Sequence, residues 1–129
     1  HELREHDLGE WDGQPWEDIL PLVEAHQSPQ GGESVNQFAQ RIQATLTDIL
    51  EKEDRRVMIV AHGGLFHAMG FLYEYGISPL QNCHLHSFSP QTDFNAFPWR
   101  VWQYDLQDDG LKRTTAPFCF SHAMERIAS

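Results

Sequence analysis

The chain has 129 residues, a formal net charge of −10, and a composition that is 40% hydrophobic and 12% aromatic. That length sets a single domain, residues 1–129, with enough apolar material for a core, and it excludes a disordered chain. The acidic balance excludes nucleic acid and anionic membrane surfaces as partners, and no apolar run is long enough to cross a bilayer.

Residues 3–13 (LREHDLGEWDG) carry glycines at 9 and 13 and show no sustained period, which reads as a structured loop. Pro15 stands like a first-turn proline, with Glu17 and Asp18 behind it, where a helix dipole favours anions, so a short helix is predicted over 15–26. Residues 27–33 form a loop. Ser34 and Gln37 then have the spacing of a capping box, and Val35, Phe38, Ala39, Ile42, Leu46, Ile49 and Leu50 recur as one helical stripe. Residues 57–61 (VMIVA) are a short β-branched run of the kind buried on both faces of a parallel sheet. His62-Gly63-Gly64 follows, and then a second helical pattern, predicted over 64–75. Strands are predicted over 84–88 and 99–106, with a turn at Gln107-Asp108-Asp109-Gly110 and a return strand over 111–115.

The two cysteines, Cys83 and Cys119, stand in no metal or redox spacing, as in a cytoplasmic protein with reduced thiols. The first residues are polar and offer no signal peptide, and the chain does not begin with Met, so a fragment or processed product is expected.

Three stretches carry chemistry. Val60-Ala61-His62-Gly63-Gly64 ends the apolar run. Glycines there let a backbone approach a ligand, the next helix offers N–H groups to an anion, and the His62 ring can donate to a phosphoryl oxygen. A buried histidine packed at a turn is the plain alternative. The loop at 3–13 sets several carboxylates beside Leu3, Leu8 and Trp11, a setting for a general acid, although solvated loop carboxylates are commoner. Gly31-Gly32-Glu33-Ser34 is a flexible turn feeding a capped helix, and an ordinary loop accounts for it equally well.

In this order, L-x-E-x-x-x-G-x-W-x-G, G-G-E-S opening a long helix, and an apolar run ending in A-H-G-G, the motifs resemble the histidine phosphatase superfamily. That superfamily includes phosphoglycerate mutases and α-ribazole phosphatases. The Gly9–Gly13 and Gly31–Ser34 variants look most like the α-ribazole-phosphatase and broad-specificity branches. The resemblance implies an α/β fold, a three-layer sandwich with a mostly parallel sheet, here N-terminally incomplete. It implies a phosphomonoester hydrolase or mutase acting through a phosphohistidine. Glu5 would then be the acid that protonates the leaving oxygen, His62 and the Gly63 N–H would hold the phosphoryl group, and Ser34 would contact substrate phosphate. The expected partner is a small phosphorylated substrate, with no cofactor and no metal.

No Arg-His-Gly, the family's nucleophile motif, occurs in the sequence, and none of its seven arginines sits in a matching motif. The nucleophile is therefore expected outside this chain. The alternative is a catalytically inactive fragment that binds phosphate or a partner. A metal site on His84 and His86 would lack further ligands at suggestive spacing. An unpaired sheet edge beside residues 57–61 predicts a homodimer or pairing with a missing N-terminal segment. Specificity is expected in the loops at 14–32 and 89–98.

Overall fold

The computed structural model describes residues 2–73, 75–77, 80–90, 99–115 and 118–120. The chain divides into two compact units, His1–Met69 and Gly70–Ser129. In the first unit a 3-10 turn (Gly9–Trp11) leads to helix α1 (Trp16–Glu24) and helix α2 (Val35–Lys52). Helix α3 (Gly64–Tyr73) begins in this unit and runs into the second.

Helix α1 opens after Pro15, whose fixed φ suits a helix entry, with Glu17 and Asp18 in the first turn. It ends because His26 turns into the left-handed region at φ +54. Bonds from His26 N–H to Val23 O (3.0 Å) and from Gln27 N–H to Leu22 O (3.0 Å) close the last turn as a Schellman motif. Helix α2 starts on the capping box read from the sequence. Gln37 N–H donates to Ser34 Oγ (3.1 Å), and Ser34 N–H donates to Gln37 Oε1 (2.8 Å). The apolar stripe of α2 is buried at Phe38, Ala39 and Ile42 and opens toward the C-terminus, where Leu50 is 51% exposed. Together with Ile19, Ala68 and Met69, these side chains form the core of the first unit.

The second unit holds two antiparallel sheets. Strands β2 (Leu85–Pro90), β3 (Trp99–Gln107) and β4 (Gly110–Thr115) form one in the order β2-β3-β4. Strands β1 (Tyr75–Ile77) and β5 (Phe118–Phe120) form the other. The β3–β4 hairpin closes at Gln107↔Gly110, with Gly110 at φ +117, where a glycine carries no steric penalty. On one face of the larger sheet Val101 is fully buried, and Trp99 meets Phe88 and Tyr73 edge-on, with centroids 6.4 and 5.7 Å apart. On the other, the Arg113 guanidinium lies 4.5 Å over the Trp102 ring.

The three-layer sandwich with a mostly parallel sheet is thereby corrected. Every pairing among the described strands is antiparallel, and for β3–β4 the tight turn requires it. Residues 57–61 form no strand, and they are not buried on both faces: Met58 is 83% and Val60 90% exposed. A strand exists only when a neighbour takes up its N–H and C=O groups, and no described residue pairs with this run. Cys83 is a free thiol. No described helix is long and apolar enough to cross a membrane. Of the loop at 89–98 where specificity is expected, residues 91–98 lie outside the described residues.

Candidate functional site

A cleft of about 350 Å³ in the first unit is lined by Leu3, Arg4, Val60, Ala61 and His62. His62 is exposed at this cleft, and Arg4 lines the same wall, its guanidinium paired with Glu33 (3.4 Å) and Glu2 (3.6 Å). Behind His62 the chain enters α3. Leu65 N–H donates to His62 O (3.2 Å), and the amides of Phe66 and His67 donate to Gly63 O (3.0 and 3.4 Å). The helix thus begins on the two glycines, and the amides before it point away from its own ladder, where an anion is favoured.

The side chain present there is Glu5. Its Oε2 accepts from Gly64 N–H at 3.4 Å, and its Oε1 accepts from His6 N–H at 3.0 Å. The two glycines have different jobs. A Cβ on Gly64 would collide with the Glu5 carboxylate, which would have to swing aside. A Cβ on Gly63 would meet nothing within 4 Å, so Gly63 borders open space. Glu5 and the His62-Gly63-Gly64 turn, far apart in sequence, are therefore neighbours. Ser34 is engaged elsewhere: its oxygen caps α2, and it does not line the cleft.

Sequence reasoning passed over the side chains that hold Glu5 where it is. Arg41, on α2, makes a fork to Glu33, with Nε to Oε1 at 2.6 Å and Nη2 to Oε2 at 2.7 Å. The same guanidinium donates to the backbone oxygens of Glu2 (2.5 Å), Arg4 (3.2 Å) and Glu5 (3.3 Å). Glu33 also accepts from Asp7 N–H (3.2 Å), and Glu33 N–H donates back to Asp7 O (2.8 Å). The His6 ring stacks on Phe38, centroids 4.8 Å apart, and donates from Nε2 to Glu33 O at 2.8 Å. The hydrogen bond from Arg41 holds the Glu33 carboxyl below the usual glutamate range, and the same bond pushes the Arg41 guanidinium up. The available signal was an arginine one turn beyond Phe38 on α2, within reach of the glutamate just before the cap.

In the second unit, His84 Nε2 lies 2.9 Å from Asp105 Oδ1, and the His86 ring sits 4.4 Å from that of His84. Burial pushes the His86 imidazole below its ordinary value. Among the described residues, no group of three or more His, Cys, Asp or Glu side chains could hold a metal ion.

Residues 1–93 match the family described as the histidine phosphatase superfamily (branch 1). Neither a curated protein nor a solved structure matches the chain.

Proposed function

The chain belongs to the histidine phosphatase superfamily (branch 1), and from that premise we propose that it serves phosphomonoester hydrolysis or mutase-like phosphoryl transfer through a phosphohistidine. The carrying observation is the Glu5 carboxylate at the Gly64 amide, one residue from the Gly63 N–H and two from His62 at the cleft. In this reading His62, Arg4 and the Gly63 N–H take the charge spread over the equatorial phosphoryl oxygens. The P–O bond to the substrate alcohol breaks as a P–N bond forms to the nucleophilic imidazole, and Glu5 gives its proton to the departing oxygen. Glu5 then takes a proton from water, which attacks phosphorus, and the P–N bond breaks to release phosphate. Ser34 is a phosphate contact in this proposal only if its hydroxyl proton serves the substrate while its oxygen caps α2.

The sequence holds no Arg-His-Gly, so the proposal assigns the nucleophile to a segment outside these residues. The Gly9-Glu10-Trp11-Asp12-Gly13 and Gly31-Gly32-Glu33-Ser34 motifs favour a substrate like that of the α-ribazole-phosphatase or broad-specificity branch. The bare run at 57–61, with Met58 and Val60 exposed, is the surface proposed to receive either that segment or a second copy.

The test is p-nitrophenyl phosphate hydrolysis by the product of the longest upstream-extended reading frame. His62→Ala should lower kcat about 100-fold or more. Equal rates for the two proteins refute the assignment. The missing motif also supports a second reading, an inactive phosphate-binding fragment; calorimetry would then show vanadate binding to the 129-residue chain while the extended product gives no turnover.

A further inference from the structure

Resting on the reading of Glu5 as the acid, we propose that Arg41 and Glu33 are positioning residues that set the Glu5 carboxylate against the first turn of α3. Glu5 lies on an irregular loop, and none of its neighbours at 2–8 belongs to a helix or strand. A general acid has to meet the leaving oxygen within hydrogen-bond reach, and a loop free to shift by an ångström loses most of that advantage.

Arg41 removes the freedom. Its fork to Glu33 fixes the guanidinium plane, and the outward N–H groups then take the carbonyls of residues 2, 4 and 5. The Asp7–Glu33 backbone and side-chain bonds pin the far side of the loop. Glu5 is thus gripped on both flanks while its own carboxylate touches neither Arg41 nor Glu33; it touches Gly64 N–H and His6 N–H. The Arg41 and Glu33 side chains are 12% and 16% exposed, so water competes little for these bonds. A lysine could supply the charge at position 41 but not the planar fork.

The consequence is selective. A sluggish leaving group such as an alkoxide needs the acid, whereas 2,4-dinitrophenolate departs without a proton. The experiment uses the product of the longest upstream-extended reading frame, with glycerol 2-phosphate and 2,4-dinitrophenyl phosphate as substrates. Arg41→Gln should lower kcat on the alkyl ester about 100-fold while changing its KM by less than about twofold. The same variant should change kcat/KM on the aryl ester, which reports only formation of the phosphohistidine, by less than about threefold. Arg41→Lys and Glu33→Gln should give the same selectivity at smaller amplitude. Hydrogen exchange of amides 3–8 in Arg41→Gln should quicken about tenfold or more, with the α2 amides unchanged.

An equal loss of kcat/KM on both esters would make Arg41 a fold residue only and overturn the proposal, as would no loss on either. Unchanged exchange at 3–8 would overturn the clamp itself. An unsubstituted protein that turns over neither ester while Arg41→Gln loosens 3–8 would mean that the reading of Glu5 as an acid has failed and the clamp has not.

Discussion

Residues 2–9 and residues 57–61 flank the same cleft and are built in opposite ways. The first stretch has almost no regular structure, yet Arg41, Glu33 and Phe38 tie it down through the six hydrogen bonds and one ring stack named above. The second has the composition of a core strand, yet two of its five side chains are more than 80% exposed. Order in a polypeptide comes from satisfied backbone groups, whichever partner satisfies them. An arginine fork can supply those partners to a loop, and an apolar sequence cannot supply them to itself.

The contrast can be broken most forcefully at Arg41. Arg41→Gln takes the fork from Glu33, leaving it Arg4 (3.4 Å) and the Asp7 N–H, and leaves three carbonyls unserved, so it should cost about 2 kcal/mol in urea unfolding. A loss under about 1 kcal/mol would mean that the network adds little. A smaller loss should come from acid. The Glu33 carboxyl is lowered by its bond to Arg41, so its contribution is complete above the ordinary glutamate value of about 4.3 and is lost as pH falls through the lowered folded-state value. Urea midpoints between pH 7 and 3 should show this fall, and Glu33→Gln should flatten it. Ser34→Ala removes the cap oxygen of α2 and should cost about 1 kcal/mol, read as a drop in thermal midpoint. The smallest effect belongs to the bare run: Met58→Ser with Val60→Ser should change stability by less than about 0.5 kcal/mol. A large loss there would mean that a partner covers those side chains in solution.

Features encoded within a few residues were legible before any coordinates. Ser34 and Gln37 announce the α2 cap at a spacing of three, and Gln107-Asp108-Asp109-Gly110 announces the β3–β4 turn. The limits of α1 were nearly so; the helix stops short of His26 because that residue turns left-handed without being glycine. Residues 57–61 were misread because β-branched content reports an appetite for burial, and whether burial occurs depends on a neighbour elsewhere. The candidate site was half legible. His62, Gly63 and Gly64 mark themselves locally, and Glu5 came from motif order. The clamp escaped because Arg41 looks like any polar residue on an exposed helix face until the loop at 2–7 is folded against it.

Gly9 and Gly32 touch through bare backbone, and a Cβ on Gly32 would come within 2.6 Å of Gly9 N. Beside them Glu10 N–H donates to Gln30 O (3.0 Å), so the stretch between, α1 included, leaves and returns through a single sealed neck. Doubling the length of such an excursion costs only about 0.6 kcal/mol in closure entropy. That stretch is therefore a cassette: it can be lengthened, shortened or exchanged above the neck while the acid-bearing loop below it stays where it is.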